Sequence, residues 1–120
     1  MGTLKGCNPD LVRKVQAVIS DLAGHGITAV VVEGKRSQAR QNELYAQGRT
    51  TPGPVVTQVT HSKHTDGKAA DLWFRVRGKT TCSVSDEWWK LLGKAARAHG
   101  LTWGGDWHGF KDRPHVELPE

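Results

Sequence analysis

The sequence predicts an α+β fold, a small and mainly antiparallel sheet with helices packed against it, and three observations lead there. Apolar residues recur at helical spacing in segments that carry their own start and stop signals. Other segments are short, and either rich in β-branched residues or alternate with a period near two. In 120 residues with 37% hydrophobic content, no break in composition, repeat or linker marks a second unit. Residues 1–120 are therefore expected to form one domain around one modest core.

The elements follow in order. Asn8-Pro9 reads as a helix cap with proline in the first turn, and Leu11, Val12, Val15, Val18, Ile19 and Leu22 share one face up to Gly24 or Gly26. Ile27 to Glu33 is β-branched enough for a central strand, ending at Gly34. Ser37 can cap a second helix to about Gln47, stopped by Gly48. Residues 49–60, with Pro52, Gly53 and Pro54, read as a loop. Ala70 to Val76 alternates and reads as a strand. Ser85-Asp86-Glu87 opens a third helix through about Ala98, its acids favoured by the helix dipole, and Gly100 ends it. A last strand carries His115-Val116-Glu117-Leu118, with Val116 and Leu118 facing the core.

The chemistry concentrates in Ser62-Lys63-His64-Thr65-Asp66-Gly67-Lys68-Ala69-Ala70-Asp71 and in Asp112-Arg113-Pro114-His115-Val116-Glu117. Zinc ligands bind at about 2.0–2.2 Å, so they must gather within a few Å. Seven residues of helix would separate His64 from Asp71 by roughly 10 Å, and an extended strand by roughly 23 Å. The two can share a metal only if the chain turns between them, and Asp66-Gly67 is a strong turn dipeptide. With His115 the set becomes two imidazoles and one carboxylate with a position left for water, the pattern of a catalytic rather than a structural zinc. Against this stands the ordinary reading that six histidines will meet some acids by chance, and spacing alone does not separate the two.

Other features exclude more than they assign. The formal charge of +5 favours an anionic partner, but the lysines and arginines are scattered, and no nucleic-acid-binding signature appears, so nucleic acid is not expected. No apolar run approaches the roughly 20 residues of a membrane span, and Met1 to Cys7 has no apolar signal region. Cys7 and Cys82 cannot form a Cys-x-x-Cys metal knuckle and are expected to be free thiols. Trp88 and Trp89, on a helix with Leu91, Leu92 and Ala95, read as core. Trp103 and Trp107 flank Gly104-Gly105 near the late motif and are candidates for a substrate-groove wall.

The pattern S-x-H-x-x-G-x-A-x-D at Ser62, His64, Gly67, Ala69 and Asp71, followed by D-x-x-H-x-E at Asp112, His115 and Glu117, resembles the zinc peptidases of bacterial cell walls related to D-alanyl-D-alanine carboxypeptidases. Glu33 to Ser37, Gln41 to Thr50, and Trp103 to Trp107 ahead of Phe110 extend the likeness from about Asn8 to Leu118. Within that VanY-like group the chain looks most like the L-alanyl-D-glutamate endopeptidases of the phage endolysin branch. The resemblance implies a hedgehog/D,D-peptidase-like zinc fold, peptidoglycan as partner, a monomer, and zinc held by His64, Asp71 and His115. It also implies Asp112 as the catalytic acid and base, although position alone slightly favours Glu117, which lies on the strand face of His115. Arg36 resembles the arginine that binds substrate and stabilises the oxyanion, and Ser62 either orients substrate or shapes its loop. A lysin held in the host cytoplasm until released onto the wall is a further implication. The alternatives are a D,D- or L,D-carboxypeptidase on the same fold, in which the late acid is typically glutamate, and a non-catalytic zinc-stabilised wall-binding module.

Overall fold

Helix α1 (Pro9–Gly24) starts where the Asn8 side chain accepts a hydrogen bond from the Asp10 amide at 2.8 Å, which satisfies one of the orphan donors of a helix start. The structure is a computed structural model that describes residues 3–50, 53, 63–64, 66–108 and 111–119, and at Gln38 the backbone alone. Leu11, Val15, Val18 and Leu22 are the buried stripe of α1. The helix stops at Gly26, whose φ of 77° lets the Ile27 amide turn back to the Leu22 carbonyl at 2.9 Å.

Strand β1 (Thr28–Glu33) follows, and then α2 (Gln38–Ala46), capped by the Ser37 hydroxyl accepting from the Arg40 amide at 3.1 Å. Of the predicted 49–60 loop, residues 51–52 and 54–60 lie outside the described residues. Strand β2 (Ala69–Val76) continues through a two-residue turn into β3 (Lys79–Thr81). Arg77 and Gly78 both have positive φ, 53° and 78°, as a type I′ hairpin turn requires. Helix α3 (Asp86–Ala98) leads into the short β4 (Thr102–Trp103), a 3₁₀ turn over Gly104–Asp106, and β5 (His115–Glu117).

The strands are antiparallel in the order β1-β2-β5-β4. β3 pairs with β2 over Phe74–Val76, beyond the stretch Ala69–Asp71 that pairs with β5. The strand expected to be central, β1, therefore ends the order, and β2 takes the middle. β-Branched composition reports fit to a pleated, half-buried surface and does not report rank within a sheet.

Alternation along β2 and β5 gives the sheet two chemically different faces. Ala70, Leu72, Phe74, Val116 and Leu118 turn toward α1 and α3 and join Leu11, Val15, Val18, Leu22, Trp89, Leu92 and Ala96 in one core. Trp88 and Trp89 belong to this packing, their rings edge-on to Phe74 at 5.5 and 4.9 Å; Trp89 is core as expected, and the half-buried Trp88 packs against it. A fully buried large apolar side chain contributes about 1.5–3 kcal/mol, whereas a half-exposed ion pair such as Arg97–Asp106 gives at most about 1 kcal/mol. The apolar face thus decides the fold, and the opposite face is left to carry polar chemistry.

Candidate functional site

That opposite face is organised around Asp71. In the sheet register Asp71 sits across from Glu33 on β1 and from His115 on β5, so three polar residues form a row across three strands. The row exists because the β1/β2 register shifts between Val31 and Glu33, a bulge that re-aims Glu33. His64 reaches the row from the turn before β2. Gly67 makes the turn, with φ 71°, and a Cβ there would also lie 3.0 Å from the Gly6 carbonyl. The Gly67 amide bonds the His64 carbonyl at 3.2 Å, and the Arg36 amide bonds it at 2.8 Å. Asp66-Gly67 thus turns the chain between His64 and Asp71, as the spacing demanded.

His64, Asp71 and His115 each offer one ligand atom within 4.8 Å of the others. His64 Nε2 is 3.3 Å and His115 Nδ1 is 3.5 Å from Asp71 Oδ1. These are ion-pair distances without hydrogen-bond geometry, and Asp71 Oδ1 is buried with no hydrogen-bond partner. A buried carboxylate oxygen in that state calls for a cation. Tetrahedral zinc ligands stand roughly 3.3–3.6 Å apart at the usual bond lengths, so the donor set fits such an ion. The far nitrogens are fixed as metal-ligating imidazoles usually are. His64 Nδ1 donates to the Gly34 carbonyl at 2.9 Å, which leaves Nε2 facing Asp71. His115 Nε2 bonds Glu117 Oε1 at 2.7 Å, and Glu117 Oε2 pairs with Lys63 Nζ at 3.0 Å. Lys63 is itself tied to the Leu118 carbonyl at 2.6 Å.

The electrostatics agree with a cation site. Burial pushes the Asp71 carboxyl upward, but the His115 and His64 rings outweigh it and hold the group well below the usual carboxylate range. For His115, burial lowers the pKa, yet Asp71 and Glu117 more than offset it and raise the value to about 9. Burial also pushes Glu117 up, and its bonds to His115 and Lys63 bring it below the ordinary value. Asp112 is the exception. Burial and the nearby Asp71 charge raise it, against the pull of His115, His64 and Arg36. A carboxyl kept more basic than its neighbours is suited to exchange protons.

Asp112 Oδ2 lies 4.0 Å from His115 Nδ1, with its side chain one-third exposed. Its loop is held by the Asp112 amide bonding the Gly104 carbonyl at 3.0 Å, and by close passage over Gly104, where a Cβ would meet the Asp112 carbonyl oxygen at 2.2 Å. Trp107 stands next to the centre, its ring 4.9 Å from that of His115. Trp103, expected beside it on a groove wall, is instead a core residue at 7% exposure, donating Nε1–H to the Arg113 carbonyl at 2.7 Å. Its ring occupies space that only glycine leaves open at Gly93 and Gly105, where a Cβ would come within 2.3 Å.

Arg36 is also more enclosed than a substrate clamp would suggest. It is 8% exposed, and its guanidinium donates to both Glu33 carboxylate oxygens, at 2.9 and 2.8 Å, and to Gln41. Its Nη2 comes within 3.9 Å of Asp71 Oδ2, so its charge does reach the centre. Sequence reasoning gave Glu33, Gln41, Lys63 and the Gly34 carbonyl no role. Gln41 is fully buried, which nothing in the surrounding sequence announces. Ser62 lies outside the described residues, as does Phe110. Cys7 and Cys82 are free thiols, as expected.

Comparisons with known proteins identify the family. Residues 56–118 match the D-alanyl-D-alanine carboxypeptidase family. The chain is 35% identical over 124 aligned residues to the peptidoglycan L-alanyl-D-glutamate endopeptidase CwlK of Bacillus subtilis (strain 168), covering 92% of this chain and 72% of that protein. It is 32% identical over 97 residues to the L-alanyl-D-glutamate peptidase of Listeria phage A118, covering 78% of this chain and 31% of the phage protein. The fold superposes on the Serratia marcescens L-Ala D-Glu endopeptidase ChiX with a TM-score of 0.72 at 31% identity, over 96% of this chain and 82% of that one. With His64, His115, Asp71 and Asp112 gathered at one end of this sheet, the chain belongs to the D-alanyl-D-alanine carboxypeptidase family of peptidases.

Proposed function

We propose that the chain is a zinc-dependent peptidoglycan endopeptidase that hydrolyses the L-alanyl-D-glutamate bond of stem peptides. The observation that carries this reading is the buried donor set of His64, Asp71 and His115 with the raised carboxyl of Asp112 beside it. The names of the relatives above support the choice of bond.

His64 Nε2, Asp71 Oδ1 and His115 Nδ1 would hold the metal. Bound zinc supplies Lewis acidity and lowers the pKa of a coordinated water toward about 7. Asp112, which lies 4.0 Å from His115 Nδ1 with its side chain one-third exposed, takes the proton of the attacking water and returns it to the leaving amine. Glu117 is a positioning residue, since both of its oxygens are engaged by His115 and Lys63. Arg36, anchored by Glu33 and Gln41, contributes fixed positive charge where the oxyanion develops. Ser62 and Trp107 are assigned to substrate contact. In this reading residues 1–120 act as one catalytic domain, as a monomer, on a wall reached after release from the host cytoplasm, and the phage relative supports a lytic role.

The carboxypeptidase alternative takes its support from the family description. Mass spectrometry of purified peptidoglycan after digestion separates the two. New D-glutamyl amines, with muramyl-L-alanine left behind, are the expected products. Free D-alanine as the main product would establish the carboxypeptidase, and the absence of any new amine would leave a binding module.

A further inference from the structure

We infer that a cavity next to the metal centre binds the leaving half of the substrate through its carboxylates, an inference that rests on the endopeptidase reading. The cavity, of about 610 Å³, lies between the N-terminal half of α3 and residues 111–114, and its lining includes Trp89, Lys90, Trp103, Lys111, Asp112 and Arg113. Asp112 belongs to both sites. Its carboxylate approaches His115 at the centre, and it also forms part of the cavity wall. A group that returns a proton to a leaving amine must stand between the reacting carbonyl and the leaving half. The leaving half therefore runs past Asp112 into the cavity.

The charge of the cavity suits what arrives there. Cleavage of an L-alanyl-D-glutamate bond frees the amine of D-glutamate, and that residue brings acid groups with it. Lys90, Lys111 and Arg113 line the cavity, together with Asp86 and Asp112. Arg113 and Asp86 pair with each other at 2.7 Å, so Lys90 and Lys111 supply the remaining positive charge. The two lysines left over after that pairing draw an acidic residue toward the cavity, and this fixes which way the stem lies. Trp89 and Trp103, although core residues, each reach the edge of this cavity. The Trp89 Nε1–H is buried without a hydrogen-bond partner among the described residues, a polar group the core packing alone does not explain.

The test compares N-acetyl-L-alanyl-D-glutamate with the same peptide amidated at both carboxyl groups, using zinc-loaded protein. Lys90 and Lys111 are exposed, so the double variant K90E/K111E is expected to fold normally. Its ratio of kcat/KM for the acid over the diamide should fall about tenfold, as reversal of two partly screened charges allows. Lys94→Glu, on the same helix but lining a different cavity, should leave the ratio where it is. Independently of turnover, titration with D-glutamate should shift the indole ¹⁵N signals of Trp89 and Trp103 in the native protein and not in the double variant. Unmoved indole signals together with an unchanged acid-to-diamide ratio would overturn the subsite, even with cleavage intact. Indole shifts without cleavage of either peptide would support the subsite and overturn the endopeptidase reading.

Discussion

Replacing Glu117 by glutamine separates a residue that orients a metal ligand from one that performs chemistry. In the native chain Glu117 Oε1 accepts from His115 Nε2 at 2.7 Å, and Oε2 pairs with Lys63 Nζ at 3.0 Å. Glutamine keeps the shape and one acceptor oxygen but removes the charge. A charge-assisted hydrogen bond contributes about 1.5–3 kcal/mol against about 1 kcal/mol for a neutral one. The side chain is only 15% exposed, so solvent screening reduces this difference little. The loss to His115 as a ligand is then about 1–2 kcal/mol, which is a factor of roughly 5–30 in zinc affinity, near the range common for such outer partners. Zinc competition against a chromophoric chelator measures the shift, and kcat at saturating zinc should stay within a few fold of native. If E117Q instead bound zinc with native affinity and had no turnover, Glu117 would be the proton-transfer group, and Asp112 would lose that role.

Three further outcomes are expected. Asp112→Asn should retain zinc while kcat drops by about 10²–10⁴-fold, and a variant that lost its metal would make Asp112 a ligand. Gly104→Ala should destabilise the fold by about 1–3 kcal/mol and lower turnover with it, because the new Cβ meets the Asp112 carbonyl at 2.2 Å; unchanged melting and kcat would show that this loop yields freely. His115, raised to about 9 in the metal-free protein, carries a proton at neutral pH that zinc must displace. Zinc affinity should therefore rise with pH up to about 9, with about one proton released per metal at pH 7, and calorimetry in buffers of different ionisation heat would contradict this by finding none.

Local signals carried much of the architecture. The Asn8-Pro9 cap, the Ser37 cap and the alternation from Ala70 to Val76 depend on neighbouring residues, and each lies where the sequence puts it. The same holds for the division of β5 into His115 and Glu117 on one face and Val116 on the other, which is a property of any strand. What escaped depends on partners distant in sequence. Nothing near Arg36 announces that Gln41 and Glu33 enclose it, because the β1 bulge that aims Glu33 arises only when β1 meets β2. Trp103 looked like a groove wall because the space for its ring is made by the absence of a Cβ at Gly93, on another element. A glycine inside a helix gives up about 1 kcal/mol relative to alanine, and that local penalty was the clue to a close approach. β3 and β4, three and two residues long, are too short to show a period.

The Asp71–His115 register has a consequence for synthesis. His64 and Asp71 emerge from the ribosome close together and are brought near each other by a local turn, but His115 joins them only when β5 docks against β2. A slip of one position in that pairing would present Val116 to the centre and bury the imidazole among Leu72 and Phe74. Hydrolytic competence is thus acquired late, after nearly all of the core has been made, and a nascent or misregistered chain has only two of the three donors. In a chain assembled in this order the third donor is the last to arrive, so the metal site closes only with the final strand pairing of the sheet.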